Sequence, residues 1–415
     1  LGGDDDRLGI GDFIVAGIAK KAVFSTMIQL SPLAVYVHWP YCAAICPYCD
    51  FNRYLNPGVV WQEWMEAFSA DIKTWKKRLG PRELSSIFFG GGTPSLMHPD
   101  LVQGIIEALQ AQWPTQKKSE PTNVEITLEM NPKDIAALEG LQRAGINRIS
   151  LGVQSFDEKT LHFLGRDHTP DVCIQALKVL HASGVRMSLD LIYAHPLHTH
   201  AALWEQELTE AMHWAGEHVS LYQLTYKPGT PFYAQRHQAP GEDLILELDA
   251  VSESILESHG LLRYEISNYS KPGAESQHNL AYWNYQDYLG LGPGAHGRIT
   301  LENKKYATTA HKLPKNWLGS LKEHGHALQE EEALTRQQEA VERLLMGLRL
   351  KEGIPLESLL KLGEAFTPEF MVSLDILKKE GFLHWQTSIA MTPKGRPLVD
   401  SIVAYLCREK MLTSM

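Results

Sequence analysis

From residue 33 onward, short runs rich in β-branched and aromatic residues alternate with longer stretches of helical period, and this alternation constrains the fold more than any other feature. Repeated strand–helix units bury a strand layer only when the strands run parallel and the helices pack over them. Six such units can be counted. Strands are expected at 33–38, 85–89, 123–130, 148–153, 186–193 and 219–225, with helical stretches at 61–78, 100–113, 133–144, 171–183, 201–214 and 243–259 between and after them. A closed eight-unit barrel typically takes ~250 residues. Six units fall short of eight, so the pattern fits an incomplete barrel or an open doubly wound sheet, and periodicity does not choose between them.

The pattern changes after residue 300. A polar, Lys-rich connection over 302–315 leads to an amphipathic helix over 335–350, two shorter helical segments, a hairpin formed by 381–385 and 388–391, and a last helix over 398–407. Three helices and a two-stranded wing suggest a small winged-helix-like module. Its Lys and Arg do not cluster on one helix, so a packing appendage is the plainer reading and a metal-dependent DNA-binding regulator the weaker one. The expected divisions are an N-terminal extension (1–32), a barrel domain (33–300), a connecting segment (301–334) and the C-terminal module (335–415). Residue 1 is Leu, and Met27, just ahead of the first strand, is expected as the initiator.

Charge and cysteine usage narrow the function classes. Thirty-nine Lys and Arg against 49 Asp and Glu leave a formal charge of −10, so no overall positive field draws in nucleic acid. The five cysteines are too few for a disulfide-stapled secreted chain and favour a reducing, cytoplasmic setting. The most apolar stretch, 10–30, is broken by Lys20, Lys21, Ser25, Thr26 and Gln29, so no membrane span is expected; peripheral contact stays open.

Cysteine function then comes from spacing. Cys42, Cys46 and Cys49 follow the first strand, three thiols that a wrapping loop can turn onto one soft metal centre. A structural zinc takes a closed set of four ligands, and no fourth Cys or His stands nearby. A cubane cluster on three cysteines keeps one iron open. Further motifs fall at strand ends: Gly91, Gly92 and Thr93 within a GGGTP run, Glu129, Gln154 within GVQSF, and Asp190 within DLIY. Glycines there allow close backbone approach, with backbone groups available to a ligand.

The CxxxCxxC loop resembles that of the radical S-adenosylmethionine enzymes. That resemblance implies a partial (β/α)6 TIM-like barrel, a 4Fe-4S cluster on Cys42, Cys46 and Cys49, and S-adenosylmethionine on the open iron. Reductive cleavage of this ligand to a 5′-deoxyadenosyl radical would need an electron donor. With the YVHWPYC lead-in from Tyr36 and the Leu164-Gly165-Arg166 string, the motifs are similar, in order and spacing, to the oxygen-independent coproporphyrinogen III oxidase family and its heme-chaperone branch. By that resemblance Tyr36, Tyr48, Gly91, Gly92, Thr93, Glu129, Gln154, Arg166 and Asp190 line the S-adenosylmethionine site, Glu129 and Asp190 as polar clamps and Arg166 toward a carboxylate. The oxidases carry a fourth cysteine where this chain has Phe51, which points to the chaperone branch. So does His278-Asn-Leu-Ala-Tyr-Trp283, similar to a heme-handling HNxxYW signature. Imidazole is a good axial ligand for heme iron, while a histidine in such a loop also serves as a hydrogen-bonding residue. The expected role is transfer of heme to an acceptor, such as a respiratory hemoprotein. Radical decarboxylation of coproporphyrinogen III is the alternative.

Overall fold

The computed structural model describes residues 31–114, 124–362 and 368–408. The extension over 1–30, with Met27, lies outside the described residues. All six expected parallel strands form, as Pro32–Trp39, Glu83–Gly91, Glu125–Met130, Arg148–Gln154, Arg186–Tyr193 and His218–Gln223, each paired in parallel with the next. A seventh, Tyr288–Leu291, joins the first strand on its other side, also in parallel. The sheet does not close on itself: it is a 12-stranded arc whose outer strands are antiparallel additions at both edges. The fold is thus α/β, a partial barrel followed by a C-terminal module.

Side-chain alternation explains what each face of the arc does. Successive strand residues point to opposite faces. In the fourth strand Ile149, Leu151 and Val153 enter the main core, whereas Arg148, Ser150, Gly152 and Gln154 line a cavity on the concave side. The next strands repeat this, with Leu189 and Leu191 opposed to Ser188, Asp190 and Ile192, and Val219 and Leu221 opposed to His218, Ser220 and Tyr222. Parallel strands buried on both faces ordinarily read as continuous apolar runs. These carry polar residues at alternate positions because their inner face lines a cavity.

The segment read from sequence as a polar connection is structured differently. Lys304–Ala310 and Leu328–Ala333 are strands of the main sheet, with helix Pro314–His324 between them. Glu330, Glu331 and Glu332 are exposed on the edge strand, which hid its β character behind charge, and such charges also protect a sheet edge from pairing. The C-terminal module has its own core, including Leu344, Leu374, Leu383, Ile389 and Leu406. The expected hairpin is present as Leu383–Trp385 and Ser388–Met391, with Ile354–Pro355 as a third strand. Two bidentate ion pairs fasten the module to the barrel: Arg396 to Glu253 at 2.8 and 2.9 Å, and Arg298 to Glu342 at 2.7 and 2.9 Å.

Candidate functional site

The three cysteines occupy a loop whose two ends are stitched together. Tyr41 and Cys42 pair with Tyr54 and Leu55, and Tyr54 N–H donates to Pro40 O at 2.7 Å. Inside the loop, Cys49 N–H donates to Cys46 O at 3.2 Å, closing a turn. Asn52 anchors the far side, its Nδ2 donating to Pro293 O and Lys312 O, both at 2.9 Å. All three thiols are unpaired and line one cavity of about 520 Å³. Burial raises the Cys49 thiol to about 11 and moves Cys42 in the same direction. Phe51, two residues after Cys49, is 58% exposed.

The GGGTP run packs tightly beneath this loop. Gly91 has φ +113°, and a Cβ there would lie 2.5 Å from the His38 ring. The N–H groups of Gly91, Gly92 and Thr93 go to Glu129 Oε2, Trp39 O and Tyr41 O at 3.1, 2.7 and 2.9 Å. These N–H donors therefore serve the fold; of the backbone groups expected to be available to a ligand, the three N–H groups are already engaged. Leu164-Gly165-Arg166 brings a second segment against the cysteines. A Cβ on Gly165 would fall 2.6 Å from Pro47 Cδ, and Arg166 Nη1 lies 3.4 Å from Cys46 Sγ. Gln154 takes φ +70° at a register shift that re-aims its side chain over Gly152.

Two carboxyls, the buried Asp190 and the partly buried Glu129, face the same space. Burial lifts Glu129 to about 7, opposed by the Gly91 N–H and reinforced by the charge of Asp190. Asp190 is lifted to about 6, again by burial, against hydrogen bonds from Ser150 and Ser220; Ser150 Oγ donates at 2.6 Å. Asp190 Oδ1 has no hydrogen-bond partner among the described residues. Carboxyls held in this range with free acceptor capacity are poised to accept a cation.

Tyr48, Gly91, Gly92, Thr93, Glu129, Gln154, Arg166 and Asp190 all line the cavity with the three cysteines. Tyr36 and His278 do not. The Tyr36 hydroxyl lies 3.1 Å from His38 Nδ1, beneath the GGGTP run. His278 is 1% exposed, with Nδ1 2.9 Å from Ser86 Oγ and its ring stacked on Phe88 at 5.1 Å. Its Nε2 is buried without a hydrogen-bond partner among the described residues, and desolvation lowers its pKa to about 3. In this structure His278 is a packed hydrogen-bonding residue, not one presented to a porphyrin.

Sequence reasoning missed the polar floor of the cavity. Arg148 and Glu125 form an ion pair of 3.0 Å with side chains 1% and 3% exposed. Arg148 also donates to Ser188 Oγ, and His218 Nε2 lies 2.9 Å from the Tyr264 hydroxyl. Asn279, in helix Gln277–Trp283, reaches the same hydroxyl at 3.4 Å. The usable signal was the polar residue at every second position of an otherwise apolar parallel strand.

The radical SAM superfamily pattern matches residues 36–205, and the HemN C-terminal domain pattern matches residues 334–398. A Danio rerio protein named radical S-adenosyl methionine domain-containing protein 1, mitochondrial, is 32% identical over 371 residues, covering 87% of this chain and 81% of its own. The Escherichia coli heme chaperone HemW is 32% identical over 395 residues, 92% of this chain and 100% of its own. The chain belongs to the HemW family of radical SAM proteins. Escherichia coli coproporphyrinogen III oxidase (HemN), a radical SAM enzyme, superposes with a TM-score of 0.75 at 21% identity, covering 91% of each chain, a likeness of fold. As the superfamily implies, a member carries a 4Fe-4S cluster and S-adenosylmethionine. No helix among the described residues is long and apolar enough to cross a membrane.

Proposed function

We propose that this chain is a heme chaperone that holds a 4Fe-4S cluster on Cys42, Cys46 and Cys49, binds S-adenosylmethionine in the cavity beside it, and passes heme to an acceptor hemoprotein. The observation that carries this reading is the donor set: three unpaired thiols on one cavity, with the exposed ring of Phe51 where a fourth would stand. Several relatives bear the name heme chaperone HemW, which supports heme as cargo. The cluster, when bound, supplies an iron with an open coordination position and a route for one electron, so a donor protein is required.

The chain's own residues do the rest. Glu129 and Asp190 meet the positive charge of the sulfonium ligand, Arg166 meets its carboxylate and screens the sulfur of Cys46, and Gln154 and Tyr48 border the same space. Tyr36 supports His38 and the GGGTP run from below. Heme ligation by His278 would require helix Gln277–Trp283 to release Ser86 and turn Nε2 out of the core. We therefore place His278 in the support of the cavity floor. A respiratory hemoprotein as acceptor and the cytoplasm as compartment are part of this proposal; some relatives are named mitochondrial. The oxidase reading is weaker, because it rests on a likeness of fold and lacks the fourth cysteine.

Anaerobic reconstitution followed by heme titration tests the reading. Stoichiometric retention of heme with a shifted Soret band supports it. Absence of both, or conversion of coproporphyrinogen III under reducing conditions, refutes it.

A further inference from the structure

We propose that His195, His198 and Glu207 form a second metal site, for a divalent transition ion of the zinc class, separate from the cysteine loop. One donor atom from each residue lies within 4.8 Å of the others. The chain turns out of strand Arg186–Tyr193 at Ala194, which takes φ +56°, and this turn places His195 and His198 before helix Ala201–Met212, whose second turn carries Glu207. None of the three lines the cavity described above.

The observation that demands a ligand is the state of His195. It is 0% exposed, and neither ring nitrogen has a hydrogen-bond partner among the described residues. A neutral imidazole always carries one N–H and one lone pair, so a packed His195 leaves both buried and unmet, which native interiors rarely tolerate. His198 Nε2 also lacks a hydrogen bond, although Glu207 Oε2 stands 3.5 Å away. The other carboxylate oxygen is already fixed: Glu207 Oε1 accepts from Ser155 Oγ and, at 2.9 Å, from Phe156 N–H. That leaves Oε2 oriented toward the imidazoles, the outer support a metal-ligating carboxylate usually has.

Close contact of two neutral imidazoles, with ring centroids 3.7 Å apart and planes tilted by 38°, is the competing account. It leaves both His195 nitrogens unmet; a cation among the three groups takes up the His195 lone pair, leaving only its N–H, together with His198 Nε2 and Glu207 Oε2. Two imidazoles and one carboxylate suit zinc with a fourth position for water, whereas calcium and magnesium prefer oxygen donors. In the described arrangement Ala194 N–H donates to His198 Nδ1 at 3.2 Å. Ligation through Nε2 puts the ring proton on Nδ1, so this one contact is given up. The imidazoles also swing apart from their close tilted contact. The site ties together the segments that follow Gln154 and Asp190, one residue beyond Gln154 on one side, so its role is to hold that rim of the cavity.

The test uses the full chain with Cys42, Cys46 and Cys49 all changed to Ser, which removes the thiols that would otherwise take zinc. After chelation and dialysis it is titrated with Zn²⁺ and, separately, Co²⁺. One equivalent retained, a Co²⁺ spectrum of a low-coordinate nitrogen and oxygen site, and a rise in melting temperature with metal are expected. His195→Gln and His198→Gln should each weaken binding more than ~10-fold, as should Glu207→Gln, which keeps the volume and the acceptor for Ser155. Negligible metal retained by the triple variant, or affinity unchanged by Glu207→Gln in a folded protein, overturns the proposal. Neither cluster nor heme enters this measurement, so its failure leaves the chaperone reading standing, and the reverse.

Discussion

Glu129 and Asp190 make ligand affinity depend on pH in a direction that can be worked out beforehand. Both carboxyls are raised by burial, to about 7 and about 6. A cation between them needs both ionised, so binding expels protons and tightens as pH rises. Taking the ionised fractions at those two values, affinity grows roughly 20-fold from pH 6 to pH 8, about 2 kcal/mol, of which Glu129 supplies roughly tenfold. Calorimetric titration of the reconstituted protein with S-adenosylmethionine across that range reads the slope. Glu129→Gln, measured in parallel, retains the ligand's own titration and the small share of Asp190, so the difference between the two slopes isolates Glu129. In the ligand-free protein the sign reverses: a raised carboxyl stabilises the fold fully below its unfolded pKa, and that contribution is lost as pH climbs through the folded one. Glu129→Gln should therefore raise the ligand-free melting temperature at pH 8 while weakening the ligand. Equal pH slopes in wild type and variant would refute the reasoning.

Four further outcomes are expected. Arg148→Met removes the nearer guanidinium from the buried Glu125 carboxylate, leaving Arg186 at 3.4 Å, and should cost about 3 kcal/mol by denaturant unfolding; a loss below 1 kcal/mol would mean that Arg186 takes over the charge. Asp71 is buried in helix Trp61–Leu79 and raised to about 7 by desolvation, with Oδ1 unpartnered, so Asp71→Asn should stabilise the protein at pH 8 by up to about 4 kcal/mol and far less at pH 4. His278→Ala should cost about 2–4 kcal/mol through the lost Ser86 bond and the hole left behind, with heme retention unchanged; loss of the Soret shift at unchanged stability would instead assign it to the iron. Gly91→Ala meets the His38 ring in a left-handed backbone and should lower both folding yield and iron content after reconstitution, which iron analysis checks.

The six parallel strands were legible because each carries an apolar face of two or more alternating residues, three in the first strand with Leu33, Val35 and Val37 and two in the last with Val219 and Leu221. Tyr288–Leu291 was not, since four residues containing a glycine hold too little pattern. Leu328–Ala333 reads Leu-Gln-Glu-Glu-Glu-Ala, a helix-like composition that only pairing with Tyr306–Ala310 turns into a strand. For the site, eight of the ten expected ligand-facing residues line the cavity because the motifs sit at strand ends, where a barrel collects them. Tyr36 and His278 fell elsewhere for one reason: each belongs to the aromatic cluster with Phe88 behind the GGGTP run, and a cluster drawn from two strands and a helix distant in sequence leaves no local spacing to read.

The first strand is flanked on one side by residues about 250 positions later, Val35 beside Leu289, and Asn52 hangs the cysteine loop from Pro293 and Lys312. During synthesis the thiols thus emerge more than 200 residues ahead of the backbone that anchors the far side of their loop. A nascent chain halted before residue 290 would display the sulfur ligands without that far-side anchor. Contacts of such long sequence separation form late, so the pocket for iron and sulfide is fully walled only once the polypeptide has passed Lys312.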